Sequence, residues 1–234
     1  LRTDHKNKKQ DMANKPTEQE IRQQNVAEAV SKTELFFQKH GKIVYGCVAA
    51  VLVIALAILA YNRFVLQPKK VEAQKEMFKA EQRFAQGDYE LALNGDDNNY
   101  GFEDIIAKYG NKGGESVYLY AGASALQLGQ FDKAIEYFKK YDGGDKILLA
   151  RAQAGIGDAY VGLEDYQNAI TWYEKAVTTT DNLYAAGYLL KAGEVYEEMG
   201  NKDKALACYK KVKDQYPQAP EAMDIDKYIT RIEF

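Results

Sequence analysis

From Ile43 to Asn62 the chain runs for twenty residues without a charged side chain, and the stretch Val48–Ala60 holds nothing polar at all. At about 1.5 Å of rise per residue, such a helix reaches about 30 Å, the thickness of a bilayer's hydrocarbon. A core helix of a soluble protein needs no apolarity on every face over that length. The run therefore predicts a membrane-spanning helix over residues 43–62. Lys39 and Lys42 precede it and Arg63, Lys69 and Lys70 follow, while Tyr45 and Tyr61 stand where amphipathic rings prefer the headgroup layer. A cleaved signal peptide has a short basic start and roughly 7–15 apolar residues, whereas some forty residues precede this run. A lipoprotein signal wants its cysteine after the apolar stretch, and Cys47 lies at its start. The positive charges beyond the span, with Lys75 and Lys79, slightly outnumber those before it, so local charge leaves the sidedness open.

The remainder is too apolar for a disordered chain: 46% of the 234 residues are hydrophobic and only 4 are Pro. A net charge of −3 supplies no overall basic field for nucleic acid, and 2 Cys cannot build a disulfide framework. Both histidines, His5 and His40, precede the span, so the downstream part has few of the side chains from which metal sites and nucleophilic triads are built. Of the 18 Tyr, all but Tyr45 and Tyr61 lie after residue 88.

Residues 1–16 read as a disordered tail. Because the chain opens with Leu1 and Met12 follows a patternless polar stretch, residues 1–11 are expected to lie upstream of the native start. Thr17-Glu18-Gln19-Glu20 has the form of a capping box, which begins a juxtamembrane helix over 17–42. Ile21, Val26, Val30, Phe36 and Phe37 give it a broken apolar stripe, compatible with a helix on the bilayer or against a partner, and equally with a solvated stalk. After the span, Ala73, Met77, Ala80, Phe84 and Ala85 keep helical spacing, and Asn94–Gly101 reads as a loop. Its acids lack the spacing of a calcium loop, since Tyr100 stands where an Asp or Asn is wanted.

Self-similarity organises the rest. Gly122, Gly157 and Gly193 recur at intervals of 35 and 36 residues, and Ala134, Ala169 and Ala205 keep step with them, as do Phe138, Tyr173 and Tyr209. Three columns in phase at this period predict tandem helical hairpins, in which a small residue on the first helix admits the second and a ring fills the space beside it. Leu128-Gly129-Gln130-Phe131-Asp132-Lys133-Ala134 and its counterparts, from Leu163 and from Met199, resemble the tetratricopeptide repeat (TPR). Glu164 departs from the pattern at the turn glycine and Lys202 at the aromatic position, and Pro217 stands at the usual terminator. Gln86-Gly87-Asp88-Tyr89 repeats the turn once more upstream, with a delayed second helix over Gly101–Tyr109. The expected fold is all-α: one N-terminal transmembrane helix and a tetratricopeptide-repeat α-solenoid, with a linker helix and degenerate repeat over 63–114, three repeats over 115–219 and a capping helix over 220–234 that turns Ile225, Ile229 and Ile232 inward.

The stretch Val30–Lys42 before a single span, followed by repeats with a Gly-Phe-x-x-Ile-Ile-x-x-Tyr helix at Gly101–Tyr109, is similar to the bacterial inner-membrane family of ancillary SecYEG translocon subunits and cell-division-coordinator-like proteins. That resemblance implies a cytoplasmic amino terminus, a periplasmic repeat domain, and protein partners among the secretion channel, periplasmic chaperones and translocating chains. The repeat resemblance implies a concave groove lined by Leu119, Ala123, Leu126, Arg151, Ala154, Asp158, Leu190, Glu194, Glu197 and Glu198, apolar at one end and acidic at the other. It suits a ligand with an apolar stretch followed by basic residues. The acidic end reads equally as a solvated helix face. A basic clamp for a terminal carboxylate is not evident, because Leu119, Ala123 and Ala154 stand where Lys or Asn would be wanted.

The expectation is thus a membrane-anchored interaction module, with a structural tether or oligomeric scaffold of the cell envelope as the alternative, no enzymatic activity and no cofactor. The glycine-rich Ala154–Gly162 lies inside a helical repeat and follows no strand, so it does not read as a phosphate cradle. Residues 1–42 balance to +3 and residues 63–234 to −6, and an acidic outer domain avoids anionic lipid.

Overall fold

A computed structural model describes residues 18–233 of the chain, which divide into two units, the first ending at Phe64 and the second beginning at Val65. The capping threonine Thr17 and the start at Met12 lie outside the described residues.

In the first unit a single helix, α1, runs from Glu18 to Tyr61. Sequence spacing suggests two segments meeting near Gly41, and the structure shows none of that division: one interior glycine costs about 1 kcal/mol against alanine, too little to break a helix with no proline in it. Val48, Val51, Leu52, Val53, Ile54, Leu56, Ile58 and Leu59 are all more than half exposed. The apolar window of this region is long enough to cross a membrane, and none of it is buried within the protein. Val30 and Phe36, from the expected juxtamembrane stripe, are also exposed. A π-helical turn, Asn62–Leu66, follows.

The second unit is a stack of helical hairpins. Helix α2 (Gln67–Ala85) carries Pro68 in its first turn, directly after the π-helical turn, and buries Ala73, Met77 and Ala80. A short α3 (Tyr89–Asn94) follows. The expected loop is here a minimal antiparallel hairpin, β1 (Gly95–Asp96) against β2 (Asn99–Tyr100), closed by Asp96 Oδ1 accepting the N–H groups of Asn98 and Asn99 at 2.8 Å each. The delayed partner helix α4 spans Phe102–Tyr109 and buries Phe102, Ile105 and Tyr109.

Three regular hairpins come next: α5 (Ser116–Gln127) with α6 (Phe131–Lys140), α7 (Lys146–Gly162) with α8 (Tyr166–Thr179), and α9 (Ala185–Glu198) with α10 (Lys202–Gln215). The columns found in the sequence are the packing contacts. A Cβ on Gly122 would stand 2.7 Å from Phe138, one on Gly157 2.6 Å from Tyr173, and one on Gly193 would collide with Tyr209. Ala134, Ala169 and Ala205 are all fully buried opposite them. Each first helix ends in the same way. Gly87, Gly129, Glu164 and Gly200 take positive φ, and the N–H of the next residue reaches back five positions to Arg83, Ala125, Tyr160 and Tyr196 at 2.8–3.0 Å. This left-handed turn satisfies carbonyls that the helix end would leave orphaned. Asp165 and Asn201 then cap α8 and α10, and Asp145 caps α7.

The expected capping helix begins as a short 3₁₀ turn, Pro220–Met223, and continues as α11 (Ile225–Glu233). Ile225 and Ile229 are buried and Ile232 is half-buried, while Asp226, Lys227, Arg231 and Glu233 face solvent.

Candidate functional groove

The first helices of successive hairpins, α5, α7 and α9, carry every residue that the repeat register assigns to the groove. On α5, Leu119, Ala123 and Leu126 are half-buried and pack on the first core cluster, presenting apolar surface on one side only. On α7, Arg151 is exposed and Asp158 half-buried, but Ala154 is only 4% exposed and belongs to the second core cluster. The expectation that Ala154 lines the groove is corrected: a methyl group does not project past its neighbours once the hairpins close on it. On α9, Leu190 is half-buried against the second cluster, Glu197 is half-buried, and Glu194 and Glu198 are exposed.

The acidic end is internally wired. Asp158 accepts a hydrogen bond from Tyr173 Oη at 2.6 Å and, through both oxygens, from Lys191 Nζ at 2.7 and 2.8 Å. Glu197 Oε1 accepts from Tyr209 Oη and from the Arg231 guanidinium, each at 2.5 Å. Burial pushes the phenols of Tyr173 and Tyr209 well up, and the adjacent carboxylates add to the rise. Although Glu194 as a residue is exposed, partial desolvation of its carboxyl pushes it up as well, against the charges of Lys191 and Arg231 and a hydrogen bond with Tyr228. Glu197 goes the other way: burial works to raise it, but the hydrogen bonds from Arg231 and Tyr209 hold it below the usual carboxylate range.

Two of the four acids assigned to this end, Asp158 on α7 and Glu197 on α9, are therefore already matched by cations of the same chain, which the pattern of either helix alone does not show. The signal was present in the period. Asp158–Lys191 and Glu197–Arg231 are separated by 33 and 34 residues, about one repeat, so a residue on one first helix meets its counterpart on the next.

Arg151 stands apart from this network. Its charge reaches Tyr120 on α5 and Tyr188 on α9, where it partly offsets the burial that pushes both phenols up. Elsewhere, an open depression of 420 Å³ lies at the hairpin turns, lined by Gly129, Gln130, Phe131, Asp132, Lys133 and Leu163, none of them groove residues. Among the described residues no three His, Cys, Asp or Glu side chains converge on a metal position.

Residues 115–180 and 188–219 match models of the tetratricopeptide repeat. These hairpins are tetratricopeptide repeats. The 43 kDa receptor-associated protein of the synapse from Tetronarce californica is 30% identical over 105 residues, covering 39% of this chain and 25% of the relative; the Gallus gallus protein of that name aligns to the same extent. The chain thus spans about a quarter of the length of these curated relatives. Among solved structures, MamA is similar over 66% of this chain and 92% of its own (TM-score 0.49, 23% identity). A thermophilic TPR protein of Thermus thermophilus covers 69% and 98% (TM-score 0.35, 18% identity). TPR hairpins mediate protein–protein interaction.

Proposed function

We propose that this chain is a membrane-anchored TPR interaction module of the bacterial inner membrane, with α1 spanning the bilayer, its amino terminus cytoplasmic, and the repeats working on the periplasmic side as an accessory of the secretion channel or its chaperones. One observation carries the anchoring: an apolar helix long enough to cross a bilayer has none of its apolar window covered by protein, and lipid is the solvent in which such a surface is stable. The sidedness and the channel as partner are supported by the resemblance of the Val30–Lys42 stretch, the single span and the Gly101–Tyr109 helix to the ancillary translocon family. In the groove, Leu119, Leu126 and Leu190 offer apolar contact, and Glu194 and Glu198 offer carboxylates to a basic residue of a bound extended segment.

The test is affinity purification of the full chain in mild detergent, with mass spectrometry of what co-elutes. The secretion channel is expected, and its absence alongside other partners removes the translocon reading. A version with a scrambled residue 43–62 segment separates groove from tether: partners retained by the soluble repeats belong to the groove, and partners lost with the span belong to α1. Carbonate washing of membranes tests the anchoring itself, with release into the supernatant counting against it.

A further inference from the structure

Tyrosines of the repeat stack are repeatedly matched to carboxylates. Tyr137 Oη donates to Glu103 at 2.9 Å, Tyr173 to Asp158 at 2.6 Å, Tyr196 to Glu174 at 3.1 Å, Tyr209 to Glu197 at 2.5 Å and Tyr216 to Asp181 at 2.9 Å. Two tyrosines on first helices are not. Tyr120 on α5 and Tyr188 on α9 are half-buried, and among the described residues neither hydroxyl has a hydrogen-bond partner. Neither hydroxyl is sealed from solvent. The Tyr120 ring is fixed, stacked on Phe102 at 5.5 Å and edge-on to Phe84 at 5.2 Å.

Arg151 stands between these two phenols on α7. It is exposed, and among the described residues its guanidinium has no hydrogen-bond or ion-pair partner. The repeat register gives its place. Lys191 meets Asp158 across 33 residues, three short of the repeat of 36. The same offset sets Tyr188 level with Gly155 and Tyr120 level with Ala152 on α7, each within about 6 Å of Arg151 along the helix axis. The charge of Arg151 acts on both phenols, as that placement requires. Asp158, the only acid of α7, is already held by Lys191 and Tyr173.

We infer that Arg151, Tyr120 and Tyr188 form the anchoring point of the groove and take one carboxylate, the Asp or Glu side chain of an extended segment of a partner protein. This rests on the groove reading and deepens it, since the ligand then carries an acid between its apolar part, over α5, and its basic part, over α9. A guanidinium forks onto a carboxylate through two N–H groups, and each phenol adds a donor. Arg and Tyr are the residues that dominate binding hot spots. Glu81 acts on Tyr120 and Asp158 on Tyr188, so acids lie on either side of the one cation. They repel a dianionic phosphate or a run of acids more than a lone carboxylate.

The full chain in detergent is used to select from a display library of random peptide segments fused at both ends, so that no segment offers a free terminus. The parent is expected to enrich Asp or Glu at a single position among neutral residues. Arg151→Gln should lose that enrichment and bind the parent's segments about tenfold more weakly, and Arg151→Glu should select Lys or Arg instead. Tyr120→Phe and Tyr188→Phe should each weaken binding about fivefold. Arg151 is exposed and both hydroxyls reach solvent, so unchanged helical circular dichroism is expected for all four variants. Segments that respond to Leu119→Gln or Glu198→Lys, groove changes away from Arg151, yet carry no acidic residue or bind Arg151→Gln equally well, overturn the inference and leave the groove standing. No binder at all, or binders indifferent to every one of these variants, overturns the groove reading with it.

Discussion

Lys191 Nζ reaches both carboxylate oxygens of Asp158, at 2.7 and 2.8 Å, and so fastens α9 to α7 one repeat away. Both side chains keep substantial contact with water, so the pair adds register more than stability; partly exposed ion pairs are worth about 0–1 kcal/mol. Lys191→Ala is expected to lower unfolding free energy by under about 1 kcal/mol in urea titrations, while freeing Asp158 and making the groove more acidic. Tighter binding of a basic peptide by Lys191→Ala than by the parent, measured by fluorescence anisotropy, checks the second effect.

The small columns are the sensitive ones. Gly122→Ala drives a methyl into Phe138 and Gly157→Ala into Tyr173; overpacking of this kind costs about 1–3 kcal/mol. Chemical denaturation followed by circular dichroism should place both variants below Gly144→Ala, a loop glycine whose Cβ meets open space.

Glu164 holds a left-handed backbone, φ 59°, at the position that is glycine in the other three turns. A side chain in that region costs about 1 kcal/mol. Glu164→Gly should therefore raise the denaturation midpoint. Gly200→Ala should lower it by a similar amount, since Gly200 has φ 72°.

Glu194 and Glu197 respond to acid with opposite signs. Glu197 is held below its ordinary value in the folded chain, by Arg231 and Tyr209 against its burial; its stabilising contribution is present above the unfolded glutamate value of 4.5 and is lost as pH falls through the folded value. Glu194 is raised by burial, so the folded form takes up its proton first, and the destabilisation it causes at neutral pH is relieved on acidification. Glu197→Gln is expected to be less stable than the parent at pH 7 and to converge with it in acid. Glu194→Gln is expected to be more stable at pH 7, its advantage shrinking as pH falls toward and through the raised value. Denaturation series across pH 3.5–7 would show it, and parallel curves for both variants would refute the assignment.

Cys208 sits half-buried on α10 with its thiol pushed up to about 11 by burial, helped by the charge of Glu174. At pH 8 it should react with a thiol reagent only slowly in the native protein and promptly in denaturant. Rapid native labelling of a Cys47→Ala version would contradict the packing of α10.

Much of this architecture was legible in one chain because its signals are local or periodic. Charge-free length announces the span, and Gly122, Gly157 and Gly193 in step with Ala134, Ala169 and Ala205 announce hairpins, since helix–helix contact selects small residues at fixed intervals. Glu164 was visible as a departure from the turn pattern, and the structure adds that it takes the glycine conformation regardless. The merging of two expected helices into α1, and the closing of the Asn94–Gly101 loop into a strand pair, turn on cooperative backbone hydrogen bonding that composition does not rank.

What the amino-acid order settled alone was which residues must be covered and how often, because burial of apolar surface and close approach at glycine repeat with the helix and with the hairpin. What only the folded arrangement decided was which polar groups remain for a partner. Asp158 and Glu197 look available on their own helices, yet Lys191 and Arg231, a repeat away, already hold them, while Arg151, on the same helix as Asp158, keeps no ion-pair partner among the described residues. Charge pairing and coverage act through space between stacked elements, and no single helix contains that information.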